Sequence, residues 1–151
     1  MKAEEIKVIV AEFLEKMGFI GEVNVELGPE ENAFVKVQSP DSKFLIGRNG
    51  EVLMDLQALL NKVARRRTTE NIFIDLDVND YKGQKAQFLK GLAKHYAQQV
   101  LGSGLTKEVD GFSAYERKVI HTELKKFAGV ASESKGEEPR RILVIKPTQK
   151  I

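Results

Sequence analysis

Gly47 and Gly50 stand three residues apart between two apolar runs, and that junction limits what the chain can fold into more than any other stretch. Phe44-Leu45-Ile46 precede it, and Val52, Leu53, Leu56, Leu59, Leu60 and Val63 follow at helical spacing. The tetrapeptide Gly47-Arg48-Asn49-Gly50 therefore opens a helix. Glycine permits positive φ and lets a bulky anion approach without a Cβ in the way. The first N–H groups of the helix have no intrahelical partner, and the helix dipole favours a negative group beside them. Arg48 adds a cation between the glycines. Taken alone, the tetrapeptide fits a plain turn between two helices more readily than an anion loop. No Lys-Ser/Thr follows Gly50, so it is not a Walker-type phosphate loop. A third glycine and a preceding strand are both missing, which sets aside a dinucleotide fingerprint.

The 151 residues have room for one or two small domains, and an apolar content of 42% supplies real cores. There is no cysteine, which excludes disulfides and thiolate zinc sites. The only histidines are His95 and His121, so a metal site has little to draw on and no cofactor is expected. No apolar run approaches the roughly 20 residues of a membrane span, and Met1-Lys2-Ala3-Glu4-Glu5 does not read as a signal peptide. A cytoplasmic location is the expectation. Charge is unevenly spread: residues 1–79 carry 10 basic and 14 acidic groups, net −4, and residues 80–151 carry 14 and 8, net +6. The C-terminal part has the more attractive field for a polyanion.

The periodicities predict an α+β chain. Ile6, Ile9, Val10, Phe13, Leu14 and Met17 mark a helix from about 3 to 17, with Gly18 at its C-terminal cap. Val23, Val25 and Leu27 alternate with polar residues, and a turn at 28–32 leads to a second strand at 33–38. Asp41 or Ser42 can cap a helical turn ending at Ile46. A helix from about 50 to 67 and a strand from 72 to 78 complete the first domain, placed at residues 1–79. Asn79-Asp80 can cap the next helix, whose apolar stripe runs from Phe88 to Leu101. The second domain, residues 80–151, adds strands near 105–109, 130–134 and 142–145, giving a small α/β unit with a three-stranded sheet. Its second helix begins with a capping box, Ser113 at the N-cap and Glu116 at N3, and runs to about Phe127. Asp75 and Asp77 alternate onto the exposed face of a strand with no base or nucleophile beside them.

On the capped helix Arg117 and His121 are four apart and share a face. The apolar side centres on Ile120, Leu124 and Phe127. This puts Arg117 and His121 on its flank, with Lys118 and Lys125 just beyond, as a basic edge. For such a pair alone, a solvated flank with a half-buried histidine is the ordinary explanation. Similarly, Arg65-Arg66-Arg67 complements the dipole at a helix C-terminus. Tyr81 and Tyr96 fit core positions better than base-stacking ones.

The surrounding residues add a resemblance. Tyr115 to His121, followed by Gly136-Glu137-Glu138-Pro139-Arg140-Arg141, resembles the single-stranded nucleic-acid-binding domain named for its Arg-x-x-x-His pattern. Leu45 to Leu53, with Gly47 to Gly50 at its centre, resembles the core of a KH domain. Both in this order, over nearly the whole chain, resemble the bacterial Jag family. Those proteins are named for association with a sporulation-stage membrane insertase. The resemblance implies a non-catalytic protein that binds single-stranded RNA, with single-stranded DNA as a second candidate strand. It also implies a post-transcriptional regulator or RNA chaperone and, as a partner, a small single-KH protein. Carried over by residue, Ile46, Gly47, Arg48, Asn49 and Gly50 become a backbone clamp with an apolar groove beside it. Arg117, Lys118, His121, Arg140 and Arg141 become the second domain's contacts. Many relatives carry a further N-terminal domain and charged linker. Here the chain begins at the first helix, so membrane association that depends on that segment is not expected.

Two rival readings stand beside this one. An interaction adaptor would use the KH surface to join a partner protein. An enzyme acting on RNA would need a metal cluster or an acid/base pair, and the sequence offers neither.

Overall fold

The structure, a computed structural model, describes residues 1–148. The chain divides into two compact units, Met1–Lys82 and Gly83–Ile151. The element order in the first is α1 (Ala3–Lys16), β1 (Glu22–Leu27), β2 (Asn32–Gln38), α2 (Ser42–Ile46), a single 3-10 turn (Arg48–Gly50), α3 (Glu51–Arg67) and β3 (Phe73–Val78). Strands β1 and β2 pair antiparallel, with Val25 opposite Val35, as a short turn allows. Strand β3 returns parallel to β2, with Val35 opposite Leu76. A parallel return needs a long crossover, and α2, the glycine loop and α3 supply it.

Apolar side chains at helical spacing on α1 (Ile6, Val10, Leu14) and α3 (Leu53, Leu56, Leu60, Ala64) meet one face of this sheet. The strands contribute Val23, Ala33, Val35, Val37, Ile74, Leu76 and Val78, which is the alternation expected when one face is buried. The opposite face leaves Phe34 and Phe73 exposed.

Among the described residues, strand β3 has no neighbouring strand on its outer side. Its backbone groups there are taken by α3 instead. Asn61, only 5% exposed, accepts a hydrogen bond from the Ile74 N–H at 2.7 Å and donates to the Ile74 carbonyl at 2.9 Å. One turn earlier, Gln57 Oε1 accepts from the Leu76 N–H at 3.0 Å. Lys82 Nζ then bridges Gln57 and Asp75, at 2.8 and 2.6 Å. A helix thus closes the sheet edge that would otherwise be open to a foreign strand.

The second unit holds the rest of α4 (Tyr81–Ser103), β4 (Lys107–Val109), α5 (Ala114–Leu124), β5 (Val130–Lys135) and β6 (Ile142–Pro147). Its sheet has the order β4-β6-β5, antiparallel throughout. The central β6 buries Leu143 and Ile145 against Leu89, Ala93, Ala97 and Val100 of α4 and Ile120 and Leu124 of α5.

Several expectations are corrected. Asn79 and Asp80 have φ of 49° and 56°, so neither adopts the extended backbone of an N-cap. Asp77 does that work: its Oδ1 accepts from the N–H groups of Val78 and Lys82 at 2.9 and 3.1 Å. Asn79 is turned back to bond the backbone N–H and carbonyl of Ser39. Tyr81 packs against Gly50 and Lys82 bonds Asp75, both within the unit Met1–Lys82. Asp41 precedes α2 without capping it, because its carboxylate accepts from the Ile20 N–H. Helix α5 stops at Leu124, a turn before Phe127. Phe88 and Leu101, expected in the α4 stripe, are exposed, and Ala97 takes the buried place.

Replacing Asn61 by Ala strands both backbone groups of Ile74 away from water. Each such loss costs about 1–3 kcal/mol, so the first unit should lose roughly 3 kcal/mol in urea unfolding followed by circular dichroism. The partly exposed Gln57→Ala should cost less, about 1 kcal/mol.

Candidate nucleic-acid interfaces

The first site is the loop that opens α3. Gly47 has φ 72° and ψ −172°, a conformation open essentially to glycine alone. A Cβ there would stand 2.4 Å from Val52 Cγ2 and 2.9 Å from Val52 Cβ. Gly50 has φ 78°, and a Cβ would meet the Tyr81 ring at 2.9 Å. Asn49, between them, is also left-handed, with φ 53° and ψ 26°. The two glycines are thus fixed by backbone shape and by packing together. Arg48 and Asn49, on the crest, are both exposed. Among the described residues no side chain pairs with Arg48, and the crest sits at the N-terminal end of a helix of 17 residues. Ile46 is half-buried beside the loop, and Phe44 on α2 is 63% exposed. The loop therefore presents a free guanidinium, a carboxamide and the dipole of α3 on a glycine floor, with apolar surface alongside.

The second site surrounds α5, and here the geometry differs from the expected basic edge. Arg117 is not on an exposed flank: it is 5% exposed. Its guanidinium donates to the Phe112 carbonyl at 2.6 Å, to the Arg141 carbonyl at 3.5 Å, and pairs with Glu138. The 110–113 turn and the 136–141 segment fold over this side chain, and it holds both. His121 is half-buried, and its Nδ1 lies 2.6 Å from Ser132 Oγ on β5. Lys118 and Lys125 are exposed. Arg140 is exposed, while Arg141 is half-buried and donates to the Gly136 carbonyl at 2.7 Å. The structure thus brings Arg117 and Arg141 together within one wall. It leaves Lys118, Lys125 and Arg140 exposed, with no side-chain partner among the described residues, and sets His121 against β5.

Ser132, Glu138 and Phe112 were not among the sequence-derived candidates. Each meets its partner through tertiary packing, at separations of 11, 21 and 5 residues, and no spacing rule marks them. The capping box is formed: Ser113 Oγ accepts from the Glu116 N–H, and Glu116 Oε1 accepts from the Ser113 N–H at 2.8 Å. Lys85 of α4 reaches the other Glu116 oxygen at 2.8 Å. Burial acts to raise the Glu116 carboxyl, but the hydrogen bonds from Lys85 and Ser113 and the Lys85 charge outweigh it, and the group titrates below its ordinary value of 4.5. Among the described residues no group of three or more acidic or histidine side chains can hold a metal ion, and no helix is long and apolar enough to cross a membrane.

Residues 87–147 match the domain family named for its Arg-x-x-x-His pattern, abbreviated R-3-H. The match takes in most of α4, all of α5 and the whole second sheet, with Arg117 and His121 near its middle. The chain is also similar to proteins called RNA-binding protein KhpB. It is 31% identical to the one from Clostridium symbiosum over 139 residues, covering 89% of this chain and 63% of that protein. It is 36% identical to the one from Streptococcus pneumoniae (strain D39) over 101 residues, 67% of this chain and 31% of that protein. For the one from Lactiplantibacillus plantarum the figures are 29% over 132 residues, 87% and 41%. The chain thus spans less than two thirds of the length of each of these relatives.

Two outcomes are expected for the unit that carries this domain. Arg117→Ala should cost about 2–4 kcal/mol of stability, because it removes a buried charge that satisfies groups in both covering segments. Arg117→Lys should recover little, since an ammonium cannot span the same fork of acceptors. The lowered Glu116 titration means its contribution is present above pH 4.5 and lost as the pH falls below it. Glu116→Gln should therefore flatten the acid side of the stability–pH curve while lowering stability at neutral pH.

Proposed function

We propose that this protein binds single-stranded RNA without chemical catalysis, each unit contributing one contact. The first unit is read as a KH domain, its 47–50 loop clamping the sugar-phosphate backbone while bases lie on the apolar surface beside Ile46. The second is read as the Arg-x-x-x-His domain's contact, made by Lys118, His121 and Arg140. The observation that carries this reading is the Arg48-Asn49 crest, held at a helix N-terminus by two glycines that no other residue can replace. The domain match and the relatives named as RNA-binding proteins support it, as does the excess positive charge of residues 80–151.

Backbone contacts position a strand and base contacts specify it. The clamp supplies position, so the affinity it provides is indifferent to base identity and sensitive to salt. Buried Arg117 acts here as a positioning residue: it shapes the surface that carries Arg140 rather than touching the strand. A cytoplasmic post-transcriptional role fits this reading. A second reading, an adaptor that joins a partner protein, is favoured by exposed Phe44 on α2 and exposed Met54 and Leu59 on α3.

Salt separates the two readings. Binding of a short single-stranded RNA should weaken steeply with salt, whereas association through Met54 and Leu59 with a protein should not. Arg48→Asp with Asn49→Asp should leave melting unchanged, neither side chain being part of the core. It should remove most RNA affinity, each lost charge-assisted contact amounting to about 1.5–3 kcal/mol. Equal affinity of wild type and variant at low salt would remove the clamp from the mechanism.

A further inference from the structure

A cleft of about 630 Å³ opens in the second unit between the 110–113 turn and the 139–142 segment. That volume lies within the range of roughly 300–1,000 Å³ usual for small-ligand sites. Phe112 and Ile142 give it apolar lining, Arg140 and Arg141 line it with cations, and Asp110 provides an acceptor on the other wall. Arg117 ties the two walls together: it donates to the Phe112 carbonyl in one and to the Arg141 carbonyl in the other, and pairs with Glu138 beside the second. Walls fixed in this way exist before any ligand arrives, which lowers the ordering cost of binding.

The lining also says what the cleft takes. Arg141 is occupied by the Gly136 carbonyl, and the N-terminus of α5 is already met by the Glu116 carboxylate. Arg140 is left as the cation with no side-chain partner among the described residues, and it is exposed. A flat apolar group lying on Phe112 and Ile142, joined to an anion within reach of Arg140, is the pattern of a nucleotide. We propose that this cleft seats one nucleotide of the bound strand, its base against Phe112 and Ile142 and its phosphate on Arg140. The proposal rests on the RNA-binding reading above and adds to it a defined pocket whose lining includes neither Lys118 nor Lys125.

The test is a titration of the isotope-labelled full chain with a short single-stranded RNA of mixed sequence, read amide by amide by NMR, for wild type and Arg140→Glu. In the wild type the amides of Gly111, Phe112, Arg140 and Ile142 should shift. In the variant those shifts should vanish and affinity should fall about tenfold, the loss of one charge-assisted contact. The spectrum of the free variant should otherwise match the wild type, because Arg140 is exposed. Shifts at residues 47–50 or along Lys118 and His121, with none at the cleft, overturn the pocket and leave RNA binding standing. So does an unchanged affinity in Arg140→Glu. Absence of any shift in either unit overturns RNA binding, and the pocket with it.

Discussion

The carboxamide of Asn61 does for strand β3 what a fourth strand would do. It meets one residue's donor and acceptor together, from a helix that lies alongside. That bond fixes how far α3 can slide along the sheet. The position of the N-terminal end of α3 follows, and the glycine loop is that end. Gln57 repeats the attachment one turn nearer the loop, and Lys82 locks Gln57 to Asp75. The crest bearing Arg48 and Asn49 is thus held from beneath by polar bonds to a strand at its far end. It is held from the side by Val52 and Tyr81, which leave room for no Cβ at either glycine.

The two units solve the problem of presenting positive charge in opposite ways. In the first, the cation is at the surface and the groups that bond the edge strand are the carboxamides of Asn61 and Gln57. In the second, the arginine of the Arg-x-x-x-His pattern is itself the support. Burying a guanidinium is costly unless every donor finds an acceptor. Here the acceptors come from two separate segments, so the cost is offset only when both are in place. Arg117 therefore couples the order of one segment to that of the other. The surface cations Lys118 and Arg140 stand on a frame that Arg117 keeps closed.

Much of this was legible in the sequence. The helices and strands of both units follow from periods of 3.6 and 2 in the apolar residues. The capping box at Ser113 and Glu116 is a local rule, and it is formed as read. The glycine loop was visible because glycine spacing is itself the signal. What escaped is what depends on partners far along the chain. Helical spacing puts Arg117 on a flank, but whether a flank is exposed depends on what covers it, and the cover arrives from residues 136–141. Asn79 looked like a cap by its chemistry, yet Ser39, 40 residues away, offered it a better pairing and Asp77 took its place. Asn61 lay in a helical stripe as one polar residue among others, and only the unpaired edge of β3 gives it a purpose.

The parallel return of β3 also sets an order of events during synthesis. A chain grown only to Arg67 contains every residue of the glycine loop, but Asn61 and Gln57 have no strand to bind. Tyr81, which closes over Gly50, has not yet been made. The loop reaches its final shape only when residues 73–82 have left the ribosome and paired with β2 and α3. A nascent chain therefore holds every residue of this loop before the groups that brace it, Tyr81 and the partners of Asn61 and Gln57, have been made.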